Sequence, residues 1–344
     1  MSVRWTLSVS KLVIMHNCLG RIMLVLALLG AFSAAAERLA LPNGDVYEGE
    51  VVAGMREGQG RYEWADGDRY TGGFQADRMH GEGTYVWADG RVYTGEFRQG
   101  RREGVGRLQW TNQDRYSGQF REDLMHGQGV FEWANGDVYE GEFKGGQRTG
   151  QGLFKWHTGE QYEGSFVDGQ LQGRGIYRWQ DGRSYSGDFA ADLKQGAGEM
   201  RWPNGNRYSG DFSGDQRNGK GVFFWRDGTV YRGQFVDNKM HGWGIKRQPD
   251  GSQQIQRWTV GELVDELPVE VEPRCRLQHL QRQWMFVANS CVNGLAHGKG
   301  TAASLDGAFI IAEGRFVLGK LVAGEVLDLP QVSPDAGNAI TDAN

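Results

Sequence analysis

Three histidines of this chain, His80, His126 and His241, occupy one slot of a recurring phrase. A histidine there could act as general acid, general base or metal ligand. The same slot elsewhere holds Glu57, Glu103, Thr149, Gln172, Gln195 and Asn218, a set that shares polarity but neither nucleophilicity nor ligation. His80 and His126 lie two phrases apart, roughly 20 Å at the spacing of β-strands, too far to share a metal. Asp66-Gly67-Asp68 and similar turns lack the alternating oxygen ligands of a calcium loop, and Asp-Gly is already a turn signal. No Gly-x-Ser-x-Gly, P-loop or dinucleotide fingerprint occurs, and the Gly-x-Gly pairs lead into strands rather than helices. The sequence assigns no catalytic, metal-ligating or cofactor-binding residue. A non-enzyme is expected.

The aromatic residues are the more open case. Tyr93, Trp110, Tyr116, Trp133, Tyr139, Trp156, Tyr162 and Trp179 could form a ladder that stacks against sugars or quaternary ammonium groups. Alternatively the rings are the core itself, because a thin sheet has little else to bury. The second reading is preferred, with partial exposure of the rings along a groove.

The elements that must position these rings follow from a period of 23 residues. Tyrosine falls at 47, 70, 93, 116, 139, 162, 185, 208 and 231, and tryptophan at 64, 87, 110, 133, 156, 179, 202 and 225. A fixed period of this size marks a repeat architecture. Within Met125 to Phe143 two aromatic runs flank Ala134-Asn135-Gly136, a strong hairpin signal. Two phrases earlier Tyr85 and Trp87 alternate on one strand, and Tyr93, Gly95 and Phe97 on the next. For both sets to share a face the loop must be odd in length. Ala88-Asp89-Gly90 fits, as a type I turn with Gly90 left-handed. Thr94, Glu96, Glu140 and Glu142 between the rings leave the other face wet. Gly95 and its equivalents are expected to admit a neighbouring ring or backbone. The Gly-x-Gly pairs, such as Gly127 and Gly129, are expected to end the crossing loop. An isolated hairpin is marginal, so neighbours must stack. The predicted fold is all-β, an elongated single-layer antiparallel array of stacked 23-residue β-hairpin repeats, roughly 90 Å long for nine repeats.

Tyr-Glu-Gly-Glu-Phe, then Met-His-Gly-x-Gly, then Asp/Asn-Gly resembles the membrane occupation and recognition nexus (MORN) repeat. The resemblance covers Leu39 to about Gly251 and has the character of an exported, bacterial-type member. It implies a scaffold of hairpins that binds protein partners, self-associates to a homodimer and in some members binds anionic phospholipid. Two departures stand out. The second aromatic, usually Trp in that family, is Phe in eight slots here and Val51 in the first, and only three slots hold His.

Outside the array the sequence changes character. Ile22 to Phe32 is a short apolar run between Arg21 and Ser33-Ala34-Ala35-Ala36, the parts of a secretory signal peptide. Residues 1–36 are read as a cleaved leader, with Met15 as an alternative start that would shorten it. The array with a degenerate cap is expected over 37–261, where Gln254, Gln256 and Trp258 stand in the Tyr, Gly and Phe slots. Residues 262–273, acidic with two prolines, read as a linker. A small module with a shifted copy of the repeat spacing is expected over 274–326, and a disordered tail over 327–344. Cys275 and Cys291 are the only cysteines after the leader, and an even pair in an exported protein suggests a disulfide. The alternative is two free buried thiols. The chain carries 38 Lys+Arg against 43 Asp+Glu. Removing the leader, with its three basic residues and no acid, leaves 35 against 43, a net −8. That disfavours nucleic acid as a partner.

The functional expectation is an interaction scaffold, periplasmic or secreted. A glycan, cell-envelope or phospholipid-binding module using the aromatic groove is the alternative. The intact mass of the exported protein should show loss of residues 1–36, with Glu37 leading, and two hydrogens fewer than the dithiol. A retained leader, or two thiols that alkylate without reduction, would contradict this.

Overall fold

The computed structural model describes residues 36–269, 275–277, 279–287 and 291–330. Of the expected leader only Ala36 falls among them. Twenty-one strands, from Ala36–Ala40 to Glu262–Val269, form one antiparallel sheet in which each strand pairs with its neighbours in sequence. One repeat shows how. Strand Val92–Arg98 turns through Gln99 and Gly100, at φ +52° and +85°, into Arg101–Gln109. Two left-handed residues in succession match the twist of the flanking strands. The other end closes through the three-residue loop: Gly90 N donates to Trp87 O at 2.9 Å, Trp87 N to Arg91 O at 3.0 Å, and Gly90 sits at φ +94°.

The register places Tyr85 opposite Tyr93, Gly83 opposite Gly95 and Gly95 opposite Gly106. Tyr93 folds over this pair of glycines. A Cβ on Gly95 would stand 2.5 Å from Gly106 Cα and 2.7 Å from the Tyr93 hydroxyl, so neither position admits a side chain. The hydroxyl donates to Glu96 O at 3.0 Å, and Tyr47, Tyr116, Tyr139, Tyr162, Tyr185 and Tyr208 make the same bond three residues on. The ring meets Phe97 of its own repeat at 5.1 Å and Phe120 of the next at 5.0 Å, both edge to face. Such pairs add stabilisation beyond their area. All nine periodic tyrosines are fully buried.

The Gly-x-Gly pairs correct one expectation. They lie inside the strand, because the crossing turn has only two residues. The first glycine, Gly104 at φ +63°, sits where the register slips between Gly95 and Phe97. The second leaves room for the tyrosine.

The far end differs from the sequence reading in three respects. Residues 262–269 are not a linker but the last strand, paired with Gln253–Thr259. Their acids stand exposed, Val269 is buried, and Pro268 is tolerated on an edge strand; residues 270–273 lie outside the described residues. The C-terminal sheet, of Trp284–Val287, Gly298–Ser304, Phe309–Val317 and Lys320–Asp328, does not hang free. Met285, Ala303, Ile310 and Leu329 share a core with Ile245, Ile255 and Val269 of the array. The expected tail therefore begins as strand and anchor, through Leu329; its remainder from 331 lies outside the described residues. Cys275 and Cys291 are joined in a disulfide, Cα atoms 5.5 Å apart.

Burial pushes the phenols of Tyr47, Tyr116, Tyr139 and Tyr162 up to about 12. An unfolded tyrosine ionises near about 10. The stabilisation from keeping these phenols neutral is complete below that pH and is lost as pH rises from there toward the folded values. The melting temperature should hold to about pH 9.5 and fall steeply above 10. Phenolate absorbance should appear together with unfolding; titration of the folded array near pH 10 would contradict it.

Candidate interaction surfaces

The rings named from sequence separate into two classes. Tyr93, Tyr116, Tyr139 and Tyr162 are sealed in the core and offer no stacking surface. Trp110, Trp133, Trp156 and Trp179 are half-buried along one margin of the aromatic face. There they form a second ladder: Trp133 lies 4.4 Å from Phe131 of its own repeat and 5.2 Å from Phe154 of the next.

The boxes between the two ladders are filled by the chain. Arg148 stands 5.7 Å from the centres of both Trp133 and Tyr139, 4.9 Å from Phe154 and 5.6 Å from Phe166. Its Nη2 donates to Gly169 O at 2.7 Å, and that burial draws its guanidinium below the ordinary value. Arg102 does the same against Trp87, Tyr93 and Phe120 while pairing with Asp123 at 3.2 Å. The equivalent slots hold Arg56, Lys194 and Arg217, alternating in part with Met79, Met125, Leu171 and Met240. An aromatic cage for a quaternary ammonium ligand needs these spaces empty. Here a cation or an apolar side chain of the protein occupies each.

The histidine slot also resolves into structure. Glu57, Glu103, Gln172 and Gln195 accept from the backbone N–H of Ala76, Glu122, Ala191 and Gly214 in the next crossing turn, at 2.9 to 3.1 Å. His241 Nδ1 faces Val260 N at 3.3 Å in the same way. Every residue type found in the slot can accept a hydrogen bond, and that was the legible signal. At the opposite margin Asp45, Asp68, Asp114 and Asp137 accept from the turn N–H of the following repeat, at 2.8 to 2.9 Å. Among the described residues no group of three His, Cys, Asp or Glu could hold a metal ion. No helix among them is long and apolar enough to cross a membrane.

The face away from the tyrosines is the free one. Glu163, Arg174, Ser186, Glu199 and Asp211 line a shallow groove of about 550 Å³ that also exposes the backbone of Gly164, Gly175 and Gly187. Val130, Leu153 and Ile176 recur on this face, each half-buried.

The MORN repeat profile matches residues 47–69, 70–90, 93–115, 116–138, 139–161, 162–182, 185–207, 208–230, 231–253 and 292–307. No curated protein matches the chain. Among solved structures, it is similar to the TCP10 domain of Danio rerio CPAP in complex with a STIL peptide. The identity is 12%, over 68% of this chain and 99% of that one, with a TM-score of 0.38. It is also similar to the Drosophila melanogaster SAS-4 TCP domain in complex with a proline-rich motif of Ana2, at 12% identity, 54% and 97% coverage and a TM-score of 0.30. A third likeness is to virginiamycin B lyase of Staphylococcus aureus, at 13% identity, 86% and 84% coverage and a TM-score of 0.13. Likenesses this distant carry no functional conclusion.

Trp133→Ala should lower stability by about 3 kcal/mol, the low end for a large aromatic because the ring is only half covered. Glu140→Ala, on the free face, should change it by no more than about 0.5 kcal/mol. A Trp133→Ala protein that melts like the parent but loses retention on envelope polysaccharide would make the tryptophan margin a ligand platform.

Proposed function

The chain belongs to the MORN repeat family, and we propose that it is an exported, non-enzymatic scaffold that binds protein partners through the free face of its sheet. The observation that carries this reading is how completely the aromatic face is used by the fold. Its tyrosines are sealed, its glycines lie beneath them, and the boxes between its rings are filled. What remains is a continuous strip on which both signs of charge alternate with Val130, Leu153 and Ile176. Mixed charge around small apolar anchors suits protein recognition.

Export is supported by the leader pattern and by the Cys275–Cys291 bridge, since disulfides persist in oxidising compartments. Self-association is supported by the strand Ala36–Ala40, which pairs on one side only among the described residues. An unpaired edge is a template for strand addition. A glycan or phospholipid on the aromatic groove is the competing reading; the filled boxes weigh against it.

Cross-linking in the native envelope fraction, followed by affinity recovery, tests the proposal. The parent chain should carry a protein partner that is lost from Leu153→Asp/Ile176→Asp, while both proteins melt alike. Light scattering should show a mass that rises toward a dimer with concentration. Recovery of polysaccharide or lipid alone, or a partner retained by the double variant, would reject the free face as the binding surface.

A further inference from the structure

Where the C-terminal sheet meets the array, the free face closes into a recess. Its floor is set by register: Phe224, Val230, Arg247 and Gln253 form one row across four strands, and Val222, Arg232, Ile245 and Ile255 the next. The turn Leu305 to Gly307 lies across these rows and leaves a cavity of about 420 Å³. Arg232 and Arg247 are diagonal neighbours on its floor, with Phe224, Val230 and Ile245 as apolar walls.

The charges in this recess do not balance. Arg232 is half-buried, and among the described residues its Nη1 donates only to the carbonyl oxygen of Asp306, at 3.3 Å. The Asp306 carboxylate, the one acid among the described residues that line the cavity, is engaged by Arg282 and by Ala308 N at 3.1 Å. The Arg247 side chain has no hydrogen-bond or ion-pair partner among the described residues. Elsewhere Arg56, Arg102, Arg201 and Arg257 each have a carboxylate. Desolvation, then repulsion from Arg247, hold the Arg232 guanidinium below its ordinary value. A half-buried cation beside a like charge is unfavourable, and an incoming anion would relieve it.

We propose that this recess binds a small soluble molecule bearing a carboxylate or phosphate on an apolar body. The two guanidiniums would receive the oxyanion through charge-assisted hydrogen bonds, and the apolar walls would cover the rest. The volume lies within the usual range for small-molecule sites. The overhanging turn gives the recess a depth that a flat bilayer surface does not fill, which selects a soluble ligand. This site is separate from the protein-binding strip, and either reading can fail without the other.

The test is calorimetric titration of the full mature chain at low salt with phenyl phosphate, benzoate and benzyl alcohol. Phenyl phosphate and benzoate should bind and the neutral alcohol should not. Arg232→Gln and Arg247→Gln should each weaken phenyl phosphate by about tenfold or more, the loss typical of a hydrogen bond to a charged group. Arg247 is exposed, so its variant keeps the test valid if Arg232→Gln disturbs packing. Arg121→Gln, on an exposed position of a distant strand, should bind as the parent does. No heat with phenyl phosphate, equal binding of benzyl alcohol, or equal loss in Arg121→Gln would overturn the proposal. So would sedimentation with phosphatidylglycerol vesicles that phenyl phosphate does not compete, since the anion would then be a headgroup bound elsewhere.

Discussion

Everything in the array depends on a tyrosine ring lying flat over two glycines on adjacent strands. The ring can descend that far only because neither glycine has a Cβ, and its hydroxyl then reaches a backbone carbonyl three residues ahead. One residue so placed settles three matters together. It seals the sheet on that face, satisfies its own polar atom, and touches a phenylalanine on each side. Shifting the register by one residue would put the ring over a side chain and its hydroxyl out of reach. The period of 23 is therefore held by sterics as well as by hydrophobic pattern. Tyr231, the last of the series, is the exception: its buried hydroxyl has no hydrogen-bond partner among the described residues. There the next repeat carries Gln256 in the glycine position, and Trp258 takes the phenylalanine position at 6.3 Å.

Much of this was legible because the repeat states it nine times. The odd loop follows from Tyr85 and Tyr93 having to share a face, and the disulfide from an even pair of cysteines, Cys275 and Cys291, sixteen residues apart. What escaped was information held in exceptions. Residues 262–273 read as a linker because acids recur along them and two prolines, Pro268 and Pro273, fall among them. Yet Leu267 and Val269 sit where alternation needs them. The Gly-x-Gly pairs read as the end of a loop because two different steric demands, a left-handed backbone and an empty space, both ask for glycine. The slot of Arg102 and Met125 is not legible as one class, since arginine and methionine differ in charge, although both are long, flexible and able to lie between rings.

The array is stopped by a change of polarity on the free face. Ile255 stands where the preceding repeats carry Glu, Thr, Ser or Arg, Ile245 lies opposite it, and the C-terminal sheet covers both with Met285, Ala303, Ile310 and Leu329. A solenoid requires a distinct terminal unit because its last interface would otherwise face water. This one is capped from the side, and that choice creates the recess containing Arg232 and Arg247.

The filling of the aromatic boxes also bears on how long such an array can become. Arg56, Met79, Arg102, Met125 and Arg148 alternate cation and neutral side chain. Successive cations then stand four strands apart, roughly 19 Å along the sheet. The Debye length at physiological salt is about 8 Å, so those charges scarcely sense one another. A row with a cation in every repeat would halve the spacing, as Lys194 and Arg217 do locally. Alternation makes the natural increment of length a pair of repeats. Whole pairs can be added or removed without building up charge along the margin, whereas removing a single Met or Leu repeat brings two cations together.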